Sequence, residues 1–317
     1  MKERKIAAFI IIALIICVMV SACGSGQTDS EPGQEEASVV PHIPDDAIVS
    51  YLGPQGTYTE EAAQFFFLNA EYFILENTVE EAIADVVTGS ADYAVIPQEN
   101  TLGGAVTNYV DALIAEENVF VTGEVILPIS QTLMGVAGAS IEEIQTVCSH
   151  AQGIAQSAKW RKEHLPDAET REMESTAAAA SYVAETGDRS IAAIAAPGAA
   201  GLYGLSVLAE NVQITDANKT RFYVLSTSRL EDGSLPRAVF VASCEASRID
   251  DIVVEISRAG LELVTIHDRP EGSQLGTYNY IIEVENSSGI TERQVEKIKT
   301  IPEVRYLGSF DFLEKQN

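Results

Sequence analysis

From residue 47 to about residue 226, short apolar runs alternate with amphipathic segments, and this alternation constrains the fold more than any other feature of the chain. "AIVSYLG" is a β-type run that stops at Gly53, and "TEEAAQFFFLNA" behind it carries apolar residues at helical spacing. "TVEEAIADVVTGS" repeats the helical pattern, "ADYAVIPQEN" the strand pattern, and "GAVTNYVDALIAE" the helical one again. "VFVTGEVILPISQTLMGV" holds two β-rich runs. "QTVCSH" then leads into "AQGIAQSAKWRKEHL", followed by "STAAAASYVAETG" and "SIAAIAAPGAAGLYGL". Strands that alternate with helices predict an α/β fold with mostly parallel sheets over residues 47–226.

The last 80 or so residues follow a different order. Residues 227–236 are polar with Gly and Pro and read as a linker. Residues 237–315 then run strand "RAVFVASC", helix "ASRIDDIVVEISRAG", strand "LELVTIHDRP", strand "TYNYIIEVE", helix "TERQVEKIKTIP", strand "VRYLGSF". That is the βαββαβ order of a ferredoxin-like domain.

The N-terminus stands apart. "MKERK" is basic, a continuous apolar run follows, and small residues close it, so residues 1–22 have the pattern of a secretory signal. "VSAC", residues 20–23, resembles the bacterial lipobox, which implies lipidation of Cys23; an uncleaved membrane-spanning anchor is the alternative. Residues 23–46 are rich in Gly, Ser, Glu and Pro and read as a flexible tether. Both readings place the folded part on the outer face of the cell membrane. Cys148 and Cys244 fall in separate domains and are expected as free thiols, and the absence of CxxC or His/Cys clusters argues against a metal. The formal net charge of −27 argues against nucleic acid as a partner. It also makes an anionic substrate costly to bind unless local cations offset the field.

Five loops at strand ends carry the polar residues that matter. "GPQGTYTEEAA" has Gly53 and Gly56 for a tight turn and Thr57 or Thr59 to cap a helix; its N–H groups suit an anion, though capping alone explains it. "PQENT" puts Glu99, Asn100 and Thr101 beyond a strand end, where open α/β sheets bind ligands, or where a plain turn would sit. "SHAQG" places Ser149, His150 and Gln152 before a helix; without a GxSxG elbow it does not make a hydrolase triad. "STAAAA" offers Ser175 or Thr176 as an N-cap. "NKTRF", residues 218–222, sets Lys219, Thr220 and Arg221 before Phe222 and is the strongest local signal of the five, though a solvated charged turn would look the same.

Order and spacing give these loops their meaning. The five motifs resemble, in sequence order, those of the prephenate dehydratase family over residues 47–226, and the tail resembles the ACT domain of the same enzymes. The departures are Thr101 for a Ser, Ala151 for a Pro, "HDRP", residues 267–270, where the ACT domain usually has ESRP, and "EASRIDD" where its first helix usually opens with Gly-Ala-Leu. The resemblance implies a bilobal, periplasmic-binding-protein-like catalytic domain, no cofactor, a homodimer, and loss of CO2 and water from prephenate to give phenylpyruvate. It implies that Thr220 assists departure of the ring hydroxyl. Gly56, Thr57, Glu99, Asn100, Thr101, Ser149, His150, Gln152, Ser175, Thr176, Arg221 and Phe222 would line or support the substrate site. Arg221 would hold a carboxylate or form a structural ion pair, the second being favoured, and Phe222 would pack the pocket wall. His267, Asp268, Arg269 and Pro270 would form a regulatory site with weak phenylalanine binding. Two other readings stay open: a solute-binding lipoprotein that uses the same cleft without catalysis, and a dehydratase that prefers arogenate.

Overall fold

The computed structural model describes residues 46–230 and 235–316. The signal segment, the lipobox with Cys23, nearly all of the tether and four linker residues lie outside the described residues. In chain order the first elements are β1 (Ile48–Leu52), α1 (Tyr58–Phe66), β2 (Tyr72–Glu76), α2 (Val79–Thr88), β3 (Tyr93–Asn100), β4 (Gly104–Ala105), α3 (Thr107–Ala115) and β5 (Phe120–Pro128). Next come β6 (Thr132–Gly135), β7 (Thr146–Ser149), α4 (Ala151–Gln156), α5 (Ala158–His164), β8 (Glu169–Glu172), α6 (Thr176–Thr186), β9 (Ile191–Ala195), α7 (Pro197–Leu202) and β10 (Ser206–Ala209). The chain then returns through β11 (Lys219–Ser226).

β1–β5 and β11 form one sheet in the order β5-β11-β3-β1-β2, with β4 beside β3, and β6–β10 form a second in the order β10-β6-β9-β7-β8. These are two α/β lobes joined by two chain crossings. The crossings are bonded to each other: Ile129 N–H donates to Asn218 O (2.8 Å) and Val212 N–H to Gln131 O (2.9 Å). The sheets are less parallel than the alternation predicts. β11 is antiparallel to both β3 and β5, and β6 is antiparallel to β9 and β10. The cause is the double crossing: β5 leaves the first lobe and β11 re-enters it, so the two must run in opposite directions. Local periodicity carries no such information. It also misses β8, whose four residues are all exposed on a sheet edge and show no apolar alternation.

The C-terminal part comprises β12 (Arg237–Glu245), α8 (Ile249–Arg258), β13 (Glu262–Pro270), β14 (Thr277–Glu285), α9 (Glu292–Lys299) and β15 (Val304–Phe310). Its sheet order β13-β14-β12-β15 is ferredoxin-like, as the sequence pattern predicts. One face of this sheet packs on its helices through Phe240, Ile252, Ile256, Ile282 and Ile298. The other face, through Val239, Val241, Ile281, Leu307 and Phe310, shares a core with Ile96, Tyr109, Leu113 and Tyr223 of the first lobe. At Gly308 the two backbones meet: φ is 136° and a Cβ would lie 2.3 Å from Val121 O, so only Gly fits. A short final strand, β16 (Phe312–Glu314), leaves the ferredoxin-like sheet and extends the first-lobe sheet beside β5. Cys148 and Cys244 are buried free thiols.

Candidate active site

The ends of paired strands supply one wall of the interlobe cleft. β11 lies against β3 with Thr220 opposite Asn100 and Arg221 opposite Glu99. Successive side chains on a strand point to opposite faces. Thr220 and Asn100 thus share the cleft face, and Arg221 and Glu99 share the other. The second lobe contributes the starts of α4 and α6, capped by His150 and Ser175; the Ser175 hydroxyl accepts from Ala178 N–H at 2.9 Å. Between them lies a cavity of ≈ 260 Å³ lined by Tyr58, Asn100, Ile129, Gln131, His150, Gln152, Gly153, Gln156, Glu174, Ser175, Thr176, Asn218 and Thr220.

Amides dominate this cavity. Asn100 Nδ2 donates to Thr220 Oγ1 (2.8 Å) and to Asn218 Oδ1 (2.9 Å). Across the cleft, Gln152 Nε2 donates to Asn100 Oδ1 (3.1 Å), and Asn218 Nδ2 to Gln156 Oε1 (3.2 Å). Because Thr220 Oγ1 already accepts from Asn100, its own proton is the group offered to a ligand. None of the described residues that line it is Lys or Arg. Apart from His150, an anion here would meet amides, hydroxyls and the N–H groups that open α6.

The cations of "NKTRF" are used elsewhere, in ion pairs away from this cavity. Lys219 pairs with Glu314 of β16. Arg221 points into the interface with the ferredoxin-like domain, where it meets Glu124, Glu283 and, at 3.3 Å, Glu99. Other residues expected at the substrate site also sit away from this cavity. Phe222, 1% exposed, is part of the core with Tyr51, Phe66 and Val125. Ser149 is fully buried and donates to Ile194 O at 2.7 Å, pinning β7 to β9, while Gly153 packs so closely that a Cβ would lie 2.3 Å from Ser149 Oγ. Thr101 braces the loop after β3: its hydroxyl donates to Lys219 O (3.0 Å) and accepts from Lys219 N–H (3.1 Å). Gly56 and Thr57 line a second cavity, ≈ 600 Å³, with Glu60, Glu61, Pro197 and Lys315; Tyr58 borders both cavities. Thr57 caps α1 by accepting from Glu60 N–H (3.4 Å).

The face behind Thr220 is a buried charge cluster. Glu124 and Glu283 are both fully buried and share Arg221 and Arg237, and Tyr223 OH donates to Glu283 at 2.6 Å. Burial pushes the Glu124 carboxyl up, the neighbouring Glu283 charge adds to this, and the two guanidinium groups offset only part of it, leaving it at about 7. For Arg221, burial alone would favour loss of the proton, but Glu124 and Glu283 raise its affinity for it. A carboxyl bound more tightly to its proton in the folded state stabilises the fold fully below its unfolded value of 4.5, and that contribution is lost as pH rises through about 7. Replacing Glu124 by Gln removes this slope. The difference in unfolding free energy between parent and variant, from urea titrations, should change by up to about 3 kcal/mol between about pH 4.5 and about pH 8. A difference that stays flat over that range would show that Glu124 remains ionised throughout.

The residues expected to form a regulatory site are divided. His267 bonds Tyr109 OH and lies 3.7 Å from Glu99; burial holds its imidazole below the usual range, with Glu99 acting in the opposite sense. Arg269 grips Asp111 with two bonds of 2.6 and 2.7 Å. Both thus dock β13 on α3. Asp268 and Pro270 are exposed.

Sequence reasoning missed Tyr58, Gln131, Gln156, Glu174 and Asn218 as cleft residues. Asn218 lies inside a recognised motif, and Gln156 lies one helical turn after Gln152, so both were within reach. Gln131 sits at a crossing whose position only the tertiary fold defines.

The sequence model of the prephenate dehydratase family matches residues 49–229. The chain is 32% identical over 269 residues to a bifunctional chorismate mutase/prephenate dehydratase of Aquifex aeolicus, covering 83% of this chain and 73% of that one. It is 31% identical to the prephenate dehydratase of Amycolatopsis methanolica, covering 83% and 88%. The structure is similar to that of prephenate dehydratase from Arthrobacter aurescens, solved in complex with L-Phe. The TM-score is 0.76 at 30% identity, with 83% of this chain and 90% of that one covered.

Proposed function

The chain belongs to the prephenate dehydratase family, and from that membership and the cleft we infer the reaction and the parts its residues play in it. It converts prephenate to phenylpyruvate, a carbon–oxygen lyase step of phenylalanine biosynthesis. Departure of CO2 from the ring carbon pushes electrons into the ring as the C–O bond to the ring hydroxyl breaks, and aromatisation drives the step. Thr220 gives its proton to the departing oxygen, which leaves as water, and regains one from solvent. The observation that carries this reading is the 2.8 Å bond from Asn100 Nδ2 to Thr220 Oγ1. It commits the oxygen as acceptor, frees the proton, and stabilises the negative charge that develops on Thr220. Gln152, Ser175, Thr176 and the N–H groups that open α6 supply neutral donors for the two carboxylates.

Purified protein given prephenate should form phenylpyruvate. No turnover, together with tight binding of another small anion, would favour the solute-binding reading. Arogenate belongs in the same assay, because Glu174 lines the cleft and an ammonium group would need such a carboxylate. The ferredoxin-like part is read as an ACT domain. With His267 and Arg269 tied to α3, phenylalanine is expected to inhibit weakly or not at all, and inhibition at micromolar phenylalanine would overturn this. Export, tethering through Cys23 and a homodimer belong to the same proposal, on the strength of the sequence pattern and the family resemblance.

A further inference from the structure

Four of the five cleft amides, Asn100, Asn218, Gln156 and Gln131, form a chain of contacts that fixes their orientation. Asn100 Oδ1 accepts from the backbone N–H groups of Leu102 and Gly103, each at 3.0 Å, and these can only donate. Its Nδ2 is therefore the group turned toward Asn218 Oδ1, Lys219 O and Thr220. Asn218 in turn must present Nδ2 to Gln156 Oε1, and Gln131 meets that same oxygen with Nε2 at 3.4 Å. One atom is left over at the end of this series: Gln131 Oε1, buried and without a hydrogen-bond partner among the described residues, in a residue 4% exposed that lines the cavity. The Gln131 backbone is held on both sides, by Gln213 Oε1 at 2.8 Å and Val212 N–H at 2.9 Å, so the side chain has a fixed base. A buried acceptor without a donor is costly, and a ligand that supplies the donor removes the cost.

Prephenate at neutral pH carries two carboxylates, a ketone and a hydroxyl, and the hydroxyl is its one hydrogen-bond donor. We propose that Gln131 Oε1 accepts the proton of the ring hydroxyl while Thr220 donates to its oxygen, so that Gln131 is the residue that tells hydroxyl-bearing substrate from product. The assignment rests on the reading of the cleft as the dehydratase site. As the C–O bond breaks, the leaving oxygen keeps the hydrogen bonded to Gln131 and gains the proton of Thr220, departing as water. Phenylpyruvate in its keto form has no donor for Gln131 and is released against an unpaired acceptor.

Binding in the full chain tests this, with Thr220→Ala as the slow background and calorimetry as the readout. Adding Gln131→Met should weaken prephenate by about tenfold or more and leave phenylpyruvate within about twofold. Equal loss for both ligands, or no loss for prephenate, would overturn the proposal. If the Gln131→Met chain does not fold, the Thr220→Ala protein is titrated with a prephenate analogue bearing hydrogen in place of the ring hydroxyl. Weaker binding by about tenfold is expected, and equal binding counts against the hydroxyl being read. Should Thr220→Ala turn prephenate over at the parent rate, the role of Thr220 falls. The KM ratio of the Gln131→Met and parent chains then decides the matter for Gln131.

Discussion

Replacing Thr220 by Ala should lower kcat by about 10²–10⁴-fold with little change in KM. The substitution removes one hydroxyl from a half-buried strand end and disturbs little else, since Asn100 Nδ2 keeps Asn218 Oδ1 and Lys219 O as acceptors. What is lost is the proton offered to the departing oxygen, an interaction that gains value as that oxygen becomes more basic in the transition state. Hence the effect belongs in kcat. Thr220→Ser keeps the hydroxyl and the Asn100 contact and should retain most of the activity. Stopped assays of phenylpyruvate formation on the three proteins are sufficient, and an unchanged kcat in Thr220→Ala would remove Thr220 from the chemistry.

Some of the site is legible in sequence and some is not, because local patterns fix strands and caps but not the faces that meet. The motif order locates the strand ends that carry Asn100, His150, Gln152, Ser175 and Thr220, because each follows an apolar run or precedes a helix, and those are local signals. Strand alternation is also local, and it separates Thr220 from Arg221 once β11 is known to be a strand. What a motif cannot say is which face meets the cleft and which meets another domain. Glu99 looks like a ligand-binding charge until the ferredoxin-like domain brings His267 against its face, and for Arg221 the sequence leaves both a carboxylate contact and an ion pair open until Glu283 of that domain arrives as its partner, each from more than 45 residues further along the chain. Ser149 looks exposed at the head of a helix, yet the approach of Gly153 and β9 closes over it. Gln131 has no local signal at all. Its role depends on two chain crossings lying side by side.

Arg221→Met carries the largest expected effect on stability, and it separates the two roles a cation beside Thr220 could have. Arg221 reaches Glu124, Glu283 and Glu99, and the first two carboxylates are fully buried. Without it, Arg237 alone must serve both, and removing one partner from a buried ion pair typically costs about 3–5 kcal/mol. Urea unfolding should show a loss of that order, smaller in acid, where Glu124 takes up a proton and one of the two stranded charges disappears. Arg221→Lys should recover part of the stability, since it keeps the charge but not the three-way reach of the guanidinium. Activity per folded molecule discriminates between the roles. Arg221 lies on the face of β11 opposite Thr220 and is not among the residues lining the cleft. KM for prephenate should therefore hold under conditions where the variant is folded. A residue that gripped a substrate carboxylate would instead raise KM by one to two orders of magnitude, the usual consequence of losing a charge-assisted hydrogen bond of about 1.5–3 kcal/mol.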